Sequence, residues 1–439
     1  MERKVFDIFK NADIYLVGGI VRDRLLGRES NDYDFAINLE PEVVEQVLNN
    51  TNYKTYDIGK AFGTISFMLD GNKVEITTFR KNEKYQRDNR RPVVEWGKSI
   101  NDDLIRRDFT FNAMALDRDG KVIDLFNGAE HLKNGIIDTP MDPQETFNDD
   151  PLRMLRAVRF RSRFGFKYSD RVREALKSQA YRLLWLPHER ILDELNKILL
   201  GEYVKEALED LMDYKLFNYI IPELTVLKDF KQESEYHHKD VWAHTLGVAS
   251  NTPADLTLRW VGLLHDIGKP YVYSCNDGKT HFYHHEDVSA LLARSITERM
   301  GLPRKVIEDI VHLVKEHMRT NLYNSTWSDS AVRRFMKETQ GYTEQLLSIS
   351  RADITSHRPQ KVQFHLDLLN DLRRRMDEMA NFKELKCPLK GDVIMKYFNL
   401  TTGPRVGELK DLIMEALTNG DLNLGENDEV YLKYLETKV

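Results

Sequence analysis

Two carboxylates two residues apart, Asp32 and Asp34, follow a glycine pair and an arginine-rich turn in "VGGIVRDRLLGRESNDYDFAI" (17–37). Side chains alternate faces in a strand, so Asp32 and Asp34 are expected on one side and Tyr33 on the other. Like charges that close repel unless a cation lies between them, and hard oxygen ligands of this kind suit magnesium. An acid pair in a turn beside a strand is the plainer alternative. Glu75, in "KVEITTF", adds a third carboxylate if its strand neighbours the pair, and otherwise is an exposed strand glutamate. "DDLIRRDFTFNAMA" (102–115) holds Arg106, Arg107, Asp108 and Asn112. Paired arginines suit a triphosphate through charge-assisted forked hydrogen bonds, and Asn112 is expected to reach a ribose hydroxyl. In "FNDDPLRMLRA" (147–157), Asp150 and Arg153 lie three apart, on one face of a first helical turn. They form either a local salt bridge or an acceptor and donor for a nucleobase edge. Such a pair would take the exocyclic amino group of cytosine or adenine and repel the oxygen of guanine or uracil.

A separate set of residues suits a different chemistry. "VWAHTLGV" carries His244, "LLHDIGKP" carries His265 and Asp266, "HFYHHEDVSA" carries His285, "LVKEHM" carries His317 and "SRADITSH" carries Asp353. A lone histidine on an apolar helix is usually a satisfied core residue. Six ligand-type residues on successive predicted helices instead suit a divalent transition metal: manganese, nickel, cobalt, iron or zinc. Spacing does not decide which member of His237/His238 or His284/His285 is the ligand. Cys275 and Cys387 form no ligand or redox spacing, as in a reducing compartment.

These residues need elements to hold them. The apolar run Ile14–Val17, the glycines and "IVRDRLLG" predict a strand, a turn and a short helix closed by Gly27, with Gly18 and Gly19 letting a phosphate approach the backbone. The dinucleotide fingerprint is absent. "TISFML" and "KVEITTF" flank "DGN", a hairpin pattern, and "MALDRDGKVIDLF" repeats it. From about residue 148 the periodicity turns helical, with Pro151 expected at a first helical position. The length of 439 residues allows two to four domains, and 41% hydrophobic with 31% charged residues is the balance of a soluble globular protein. No apolar run reaches the length of a membrane span, so a cytoplasmic protein without a membrane partner is expected. A net charge of −6 excludes a generally basic coat, so any nucleic-acid surface must be local. Basic clusters at 87–92, 105–109, 153–167 and 372–375 meet that condition.

"GGIVRDRLLGRESNDYDFAI", "RRDFTFNAMA", "NDDPLRMLRAVRFRSRFGF" and "LPHERILDELNKIL" resemble, in order and spacing, motifs of the class II tRNA nucleotidyltransferases. That family comprises the CCA-adding enzymes and their poly(A) polymerase relatives, and the likeness covers roughly residues 14–200. It implies a polymerase-β-like head holding two magnesium ions on Asp32 and Asp34, with nucleotides chosen by side chains without a template. Implied substrates are CTP, ATP and the 3′ end of tRNA. Asp150 and Arg153 match the base-reading positions, Asp149 stands where many members have Glu, and Arg190 falls in the neck motif. The nucleotide-binding set expected is Gly18, Gly19, Arg22, Arg106, Arg107, Asp108, Asn112, Asp149, Asp150, Arg153, Arg156 and Arg190. "RKNEKYQRDNRRPVVEW" (80–96) looks like the family's mobile loop at full length, which favours adding the terminal A.

The histidine series resembles the HD phosphohydrolase superfamily, which implies metal-activated hydrolysis of a phosphoester. The stretch 385–422, broken at Gly403 and Pro404 with Gly420 as a helix stop, is similar to the tail of bacterial members that grips the outer part of tRNA. The expected fold is α+β: a polymerase-β-like head (1–140) with a small mixed sheet, then an all-α neck (141–215), HD body (216–360) and tail (361–439). The expected function is CCA addition to tRNA with an accessory phosphohydrolase. The alternatives are an A-adding enzyme or poly(A) polymerase of the same family, or chiefly an HD phosphatase or phosphodiesterase.

Overall fold

The computed structural model describes the chain except at residues 52, 57–58, 85–92, 229, 231–240, 277–278, 357, 382–386, 420 and 439. The chain divides into two compact units, one of Met1–Phe230 with Ala254–Leu256 and Ser295–Arg304, the other the remainder. The expected head and neck thus fall in one unit.

The first unit is organised by strands β1 (Ile14–Val17), β2 (Tyr33–Ile37), β3 (Thr55–Tyr56), β4 (Thr64–Leu69), β5 (Asn72–Thr78), β6 (Arg80–Lys84), β7 (Val93–Trp96), β8 (Met114–Leu116) and β9 (Val122–Asp124). Seven of them form one sheet in the order β3-β4-β5-β2-β1-β8-β9. Only β2 and β5 run parallel within it, so the sheet is mixed as expected. Both hairpins form. The β4–β5 turn is Asp70-Gly71, with φ of 51° and 80°, the left-handed pair that a tight hairpin turn requires. In β5, Val74, Ile76 and Thr78 are buried while Glu75 and Thr77 alternate to the other face.

Helices carry the rest of this unit. The helix Leu152–Phe164 buries Leu155, Val158 and Phe160. Phe160 meets Phe109 and Phe111 edge-on at 5.4 and 5.0 Å, tying the arginine motif to this helix. Pro151 occupies the cap position, so the helix starts one residue later than the sequence suggested.

Several expectations need correction. The neck and body are not all-α: Ile136–Ile137 pairs with Lys167–Tyr168, and Ser274–Asn276 forms a hairpin with Lys279–His281. The segment 80–96 is not simply a loop, because β6 and β7 pair from Arg80↔Trp96 to Lys84↔Val93; residues 85–92 lie outside the described ones. Gly420 and His237/His238 lie outside them too. In the tail, helices Gly391–Phe398, Pro404–Asn419 and Asp428–Glu436 pack around Ile394, Leu409, Ile413 and Tyr431. No helix among the described residues is long and apolar enough to cross a membrane.

Candidate functional site

Strand register decides where the carboxylates go. Parallel pairing of β2 with β5 sets Asp34 directly opposite Glu75. Residues paired this way share a face, so Glu75 does join Asp34. Asp32 lies one residue ahead of β2, on exposed chain, so the alternation argument that joined it to Asp34 does not apply to it. Its charge still reaches Asp34. The Asp34 carboxyl is pushed up to about 6, first by burial, then by Glu75 against the pull of Arg107, with Asp32 adding to the rise. Repelling carboxylates at the end of a strand are what a divalent cation relieves.

Gly18 brings the backbone against this group. Its φ of 78° suits glycine, and a Cβ there would lie 3.0 Å from Arg107 Nη1 and 3.9 Å from Asp34 Oδ2.

Asp34 and Glu75 open into a cleft of about 420 Å³ lined by Arg80, Arg106, Arg107, Asp108, Asp150, Arg153, Arg156 and Arg190. So many guanidinium groups repel one another, and buried acids hold them. Asp103 accepts from Arg106 at 3.0 Å and from Arg107 at 3.0 and 2.8 Å. Burial opposes its ionisation, but Arg107 and Arg106 outweigh that and hold its pKa at about 2. Asp108 accepts from Arg156 Nε at 2.8 Å and Asn112 at 3.0 Å. Burial is again outweighed, by Arg156 and Asn112, and its pKa lies well below the usual range. Buried Glu194 accepts from Arg159 at 3.1 Å and lies 3.9 Å from Arg156.

The base-reading candidates do not pair with each other. Asp150 Oδ2 accepts from Arg190 at 3.1 Å and Oδ1 from the Leu152 amide at 3.1 Å, so Asp150 caps the helix from outside its first turn. Arg153 donates to the Arg106 carbonyl at 2.7 Å. Each carboxylate oxygen retains a further lone pair for a ligand.

The expected nucleotide contacts Arg22, Asn112, Asp149 and Gly19 are not among the residues lining the cleft. Arg22 is buried, donating to Asp23 at 2.8 Å through two nitrogens and to Asn112 at 2.8 Å, and it stacks on Phe160 and Phe164. Asn112 is thereby held between Arg22 and Asp108, away from the cleft lining. Asp149 is exposed at the end of the helix Pro143–Asp149. Gly19 begins the helix Gly19–Leu25 beside Gly18. Sequence reading missed Asp103, although its spacing of three and four to Arg106 and Arg107 was a helical ion-pair signal. It also missed Arg80 as a cleft residue, having read it only as the start of the loop 80–96.

The six ligand-type residues of the second unit do converge. Asp266 is the hub. Its Oδ2 lies 3.2 Å from His244 Nε2 and 3.3 Å from His265 Nε2; its Oδ1 lies 3.3 Å from His285 Nε2 and 3.8 Å from His317 Nε2. Asp353 lies 3.0 Å from His244. Backbone carbonyls of Gly262, Phe282 and Val314 sit 3.0, 2.9 and 2.6 Å from Nδ1 of His265, His285 and His317. A carbonyl only accepts, so these Nδ1 atoms donate and the Nε2 lone pairs face inward. His285 and His317 then oppose two Nε2 acceptors at 3.3 Å, and buried Asp266 Oδ1 has no hydrogen-bond donor. A cation resolves both conflicts, so the donor set fits a metal.

The two carboxylates draw positive charge to the centre, a proton on His244 where no ion is bound. Burial disfavours charge on His244, yet Asp266 and Asp353 push its pKa up to about 9. Burial and then His265 push His317 down to about 4. Of the ambiguous pair, His285 is the buried one facing Asp266 and His284 is exposed. Lys269, missed in the sequence, donates to Asp266 Oδ2 at 2.5 Å.

An arginine-lined carboxylate cleft on a mixed sheet, in one chain with a histidine–aspartate cluster, defines a nucleotidyltransferase with an HD domain. Family models agree: "Poly A polymerase head domain" matches residues 14–138, "Probable RNA and SrmB- binding site of polymerase A" residues 165–227, and "HD domain" residues 235–357. Both catalytic domain types use divalent metals. A CCA-adding enzyme of Geobacillus sp. (strain WCH70) is 32% identical over 412 residues, 94% of this chain and 90% of the relative. The chain belongs to the CCA-adding enzyme family. A crystal structure of the Bacillus stearothermophilus CCA-adding enzyme in complex with CTP matches with a TM-score of 0.66 and 26% identity, covering 100% of this chain and 96% of that one. The Thermotoga maritima CCA-adding enzyme complexed with tRNA shares the fold, with a TM-score of 0.62 at 21% identity over 100% of this chain and 94% of that one.

Proposed function

We propose that this protein adds C, C and A to the 3′ end of tRNA from CTP and ATP, choosing each nucleotide with its own side chains. The observation that carries this reading is the single cleft that gathers Asp34 and Glu75, the arginines 106 and 107, and the trio Asp150, Arg153 and Arg190. Asp32, Asp34 and Glu75 would hold magnesium. Bound there, magnesium supplies Lewis-acid activation of the RNA 3′-hydroxyl and neutralises the leaving pyrophosphate. Arg106 and Arg107, aligned by Asp103, orient the triphosphate. Asp150 accepts the amino group of cytosine or adenine while Arg153 donates to the base edge, and Arg190 holds Asp150 in place. Arg22 and Asn112, one layer behind, act with Asp108 and Arg156 of the cleft wall to keep the helix Leu152–Phe164 and the arginine motif in register.

For the second unit we propose a phosphohydrolase in which His244, His265, Asp266, His285, His317 and Asp353 would hold divalent metal. Manganese, nickel, cobalt, iron or zinc suits these ligands and supplies an activated water. Head 1–140, neck 141–215, body 216–360 and tail 361–439 remain the division of labour proposed, in the cytoplasm.

The test is extension of a tRNA transcript lacking its last three nucleotides, with CTP, ATP, both, UTP or GTP. Growth by two with CTP and by three with both is expected. Addition of A alone, or a long A tail, would move the protein to the rival branch of its family.

A further inference from the structure

Among the described residues lining the cleft, only Thr64 and Thr77 carry a neutral polar side chain; the others are carboxylates, guanidinium groups or apolar. Thr77 stands two residues beyond Glu75 on β5, so it shares that residue's face about 6.6 Å further along the strand. Antiparallel pairing sets Thr64 of β4 directly opposite Thr77. Their hydroxyl oxygens lie 2.9 Å apart, and Arg80 Nη2 donates to Thr64 Oγ1 at 3.2 Å. Two hydroxyls hold two protons, and the bond between them uses one whichever way it runs. Apart from Arg80, no described residue hydrogen-bonds either hydroxyl, so the pair keeps one proton to give and lone pairs to receive. A ligand that donates and accepts at once, such as another hydroxyl, satisfies both. A phosphate oxygen only accepts, and the arginines of the cleft hold it better.

The strand order β4-β5-β2-β1 decides whose hydroxyl this is. Gly18, directly after β1, packs so closely on Arg107 that a Cβ there would lie 3.0 Å from Nη1, which puts this guanidinium on the β1 side of Asp34. The triphosphate therefore belongs on that side. In-line displacement sets the attacking and leaving oxygens on opposite sides of the phosphorus, so the attacking 3′-hydroxyl enters from the side of β5 and β4, where Thr77 and Thr64 lie. In RNA the neighbouring ring carbon bears the 2′-hydroxyl, a donor and acceptor that DNA lacks.

We propose that Thr77, steadied by Thr64 and Arg80, hydrogen-bonds the 2′-hydroxyl of the ribose that ends the primer, and that this contact selects an RNA end. This rests on the nucleotidyltransferase reading and adds to it the group that recognises the attacking strand.

Single-turnover addition of one A from ATP by the full chain tests it, on a tRNA ending in CC whose last ribose is either intact or 2′-deoxy. The wild type should extend the ribose end about tenfold faster, the share of one hydrogen bond between neutral groups. In Thr77→Val that preference should fall to about twofold, whereas Thr77→Ser, which keeps the hydroxyl, should hold it near tenfold. Thr64→Val removes only the supporting bond and should leave about fivefold. Thr77→Ala replaces Thr77→Val if the valine variant does not fold. A wild type indifferent to the deoxy end, or a full preference kept in Thr77→Val, overturns the proposal. So does a Thr77→Val variant that loses its preference for ATP over 2′-deoxy-ATP in place of its preference between primers, because the hydroxyls would then face the incoming nucleotide. A wild-type protein that extends neither end would instead overturn the nucleotidyltransferase reading itself.

Discussion

The cleft of the first unit and the histidine cluster of the second both gather ionisable groups, but they stabilise opposite things. In the cleft, arginines outnumber the carboxylates, and the fold spends buried Asp103, Asp108 and Glu194 on keeping those arginines apart and aimed. In the cluster, backbone carbonyls fix Nδ1 of His265, His285 and His317, the Thr355 hydroxyl lies 2.8 Å from Nδ1 of His244, and Lys269 pairs with Asp266. An arginine-lined cleft suits a large anion, and a ring of inward-facing imidazoles and carboxylates suits small cations. The arginines are held from behind by ion pairs, whereas three of the four imidazoles are held by the main chain.

The two centres separate most clearly when each is disabled alone. Asp32→Ala with Asp34→Ala should lower nucleotide addition by about a thousandfold or more while any metal-dependent phosphatase activity persists. His265→Ala with Asp266→Ala should do the reverse. Loss of both activities in either variant would mean that the centres are not independent.

A second variant separates aiming from chemistry. Asp103→Ala leaves two guanidinium groups without their buried acid, so it should cost about 3 kcal/mol of stability by denaturant unfolding. It should also raise KM for CTP about tenfold with kcat changed less.

The smallest effect has the opposite sign. The folded pKa of Asp34, about 6, lies above that of a free aspartate, so the folded protein binds the extra proton between about pH 4 and pH 6. Its stability in chelator should therefore fall as pH rises through that window. Asp34→Asn should stabilise the chelated protein by about 2 kcal/mol at pH 7, and magnesium should raise Tm for the wild type more than for the variant. A destabilised Asp34→Asn would contradict the repulsion inferred among the carboxylates.

Much of this was legible in the residues. Hairpin chemistry at Asp70-Gly71 and the alternation of β5 foretold that Glu75 would face one side, but not that its strand would lie beside Asp34. That neighbour is set by sheet order, which local spacing does not carry. The six metal-type residues converge as their types suggested, and burial alone separates His285 from His284. Arg22 shows the limit: an arginine beside a glycine pair reads as a phosphate ligand until Asp23, Asn112 and two phenylalanine rings are found around it. The strand pairing of 80–84 with 93–96 was hidden because lysine, arginine and asparagine at a sheet edge resemble a loop.

In this enzyme protein atoms stand in for a template, and Asp150 is the residue through which that substitution is best probed. A carboxylate only accepts, whereas the amide of Asp150→Asn also donates and can meet the O4 of uracil. The measurement is single-turnover incorporation of UTP against CTP on a transcript lacking CCA, for wild type and Asp150→Asn. The variant's preference for CTP should fall about ten- to a hundredfold through faster UTP addition. An unchanged ratio in a variant that still adds nucleotides would contradict it.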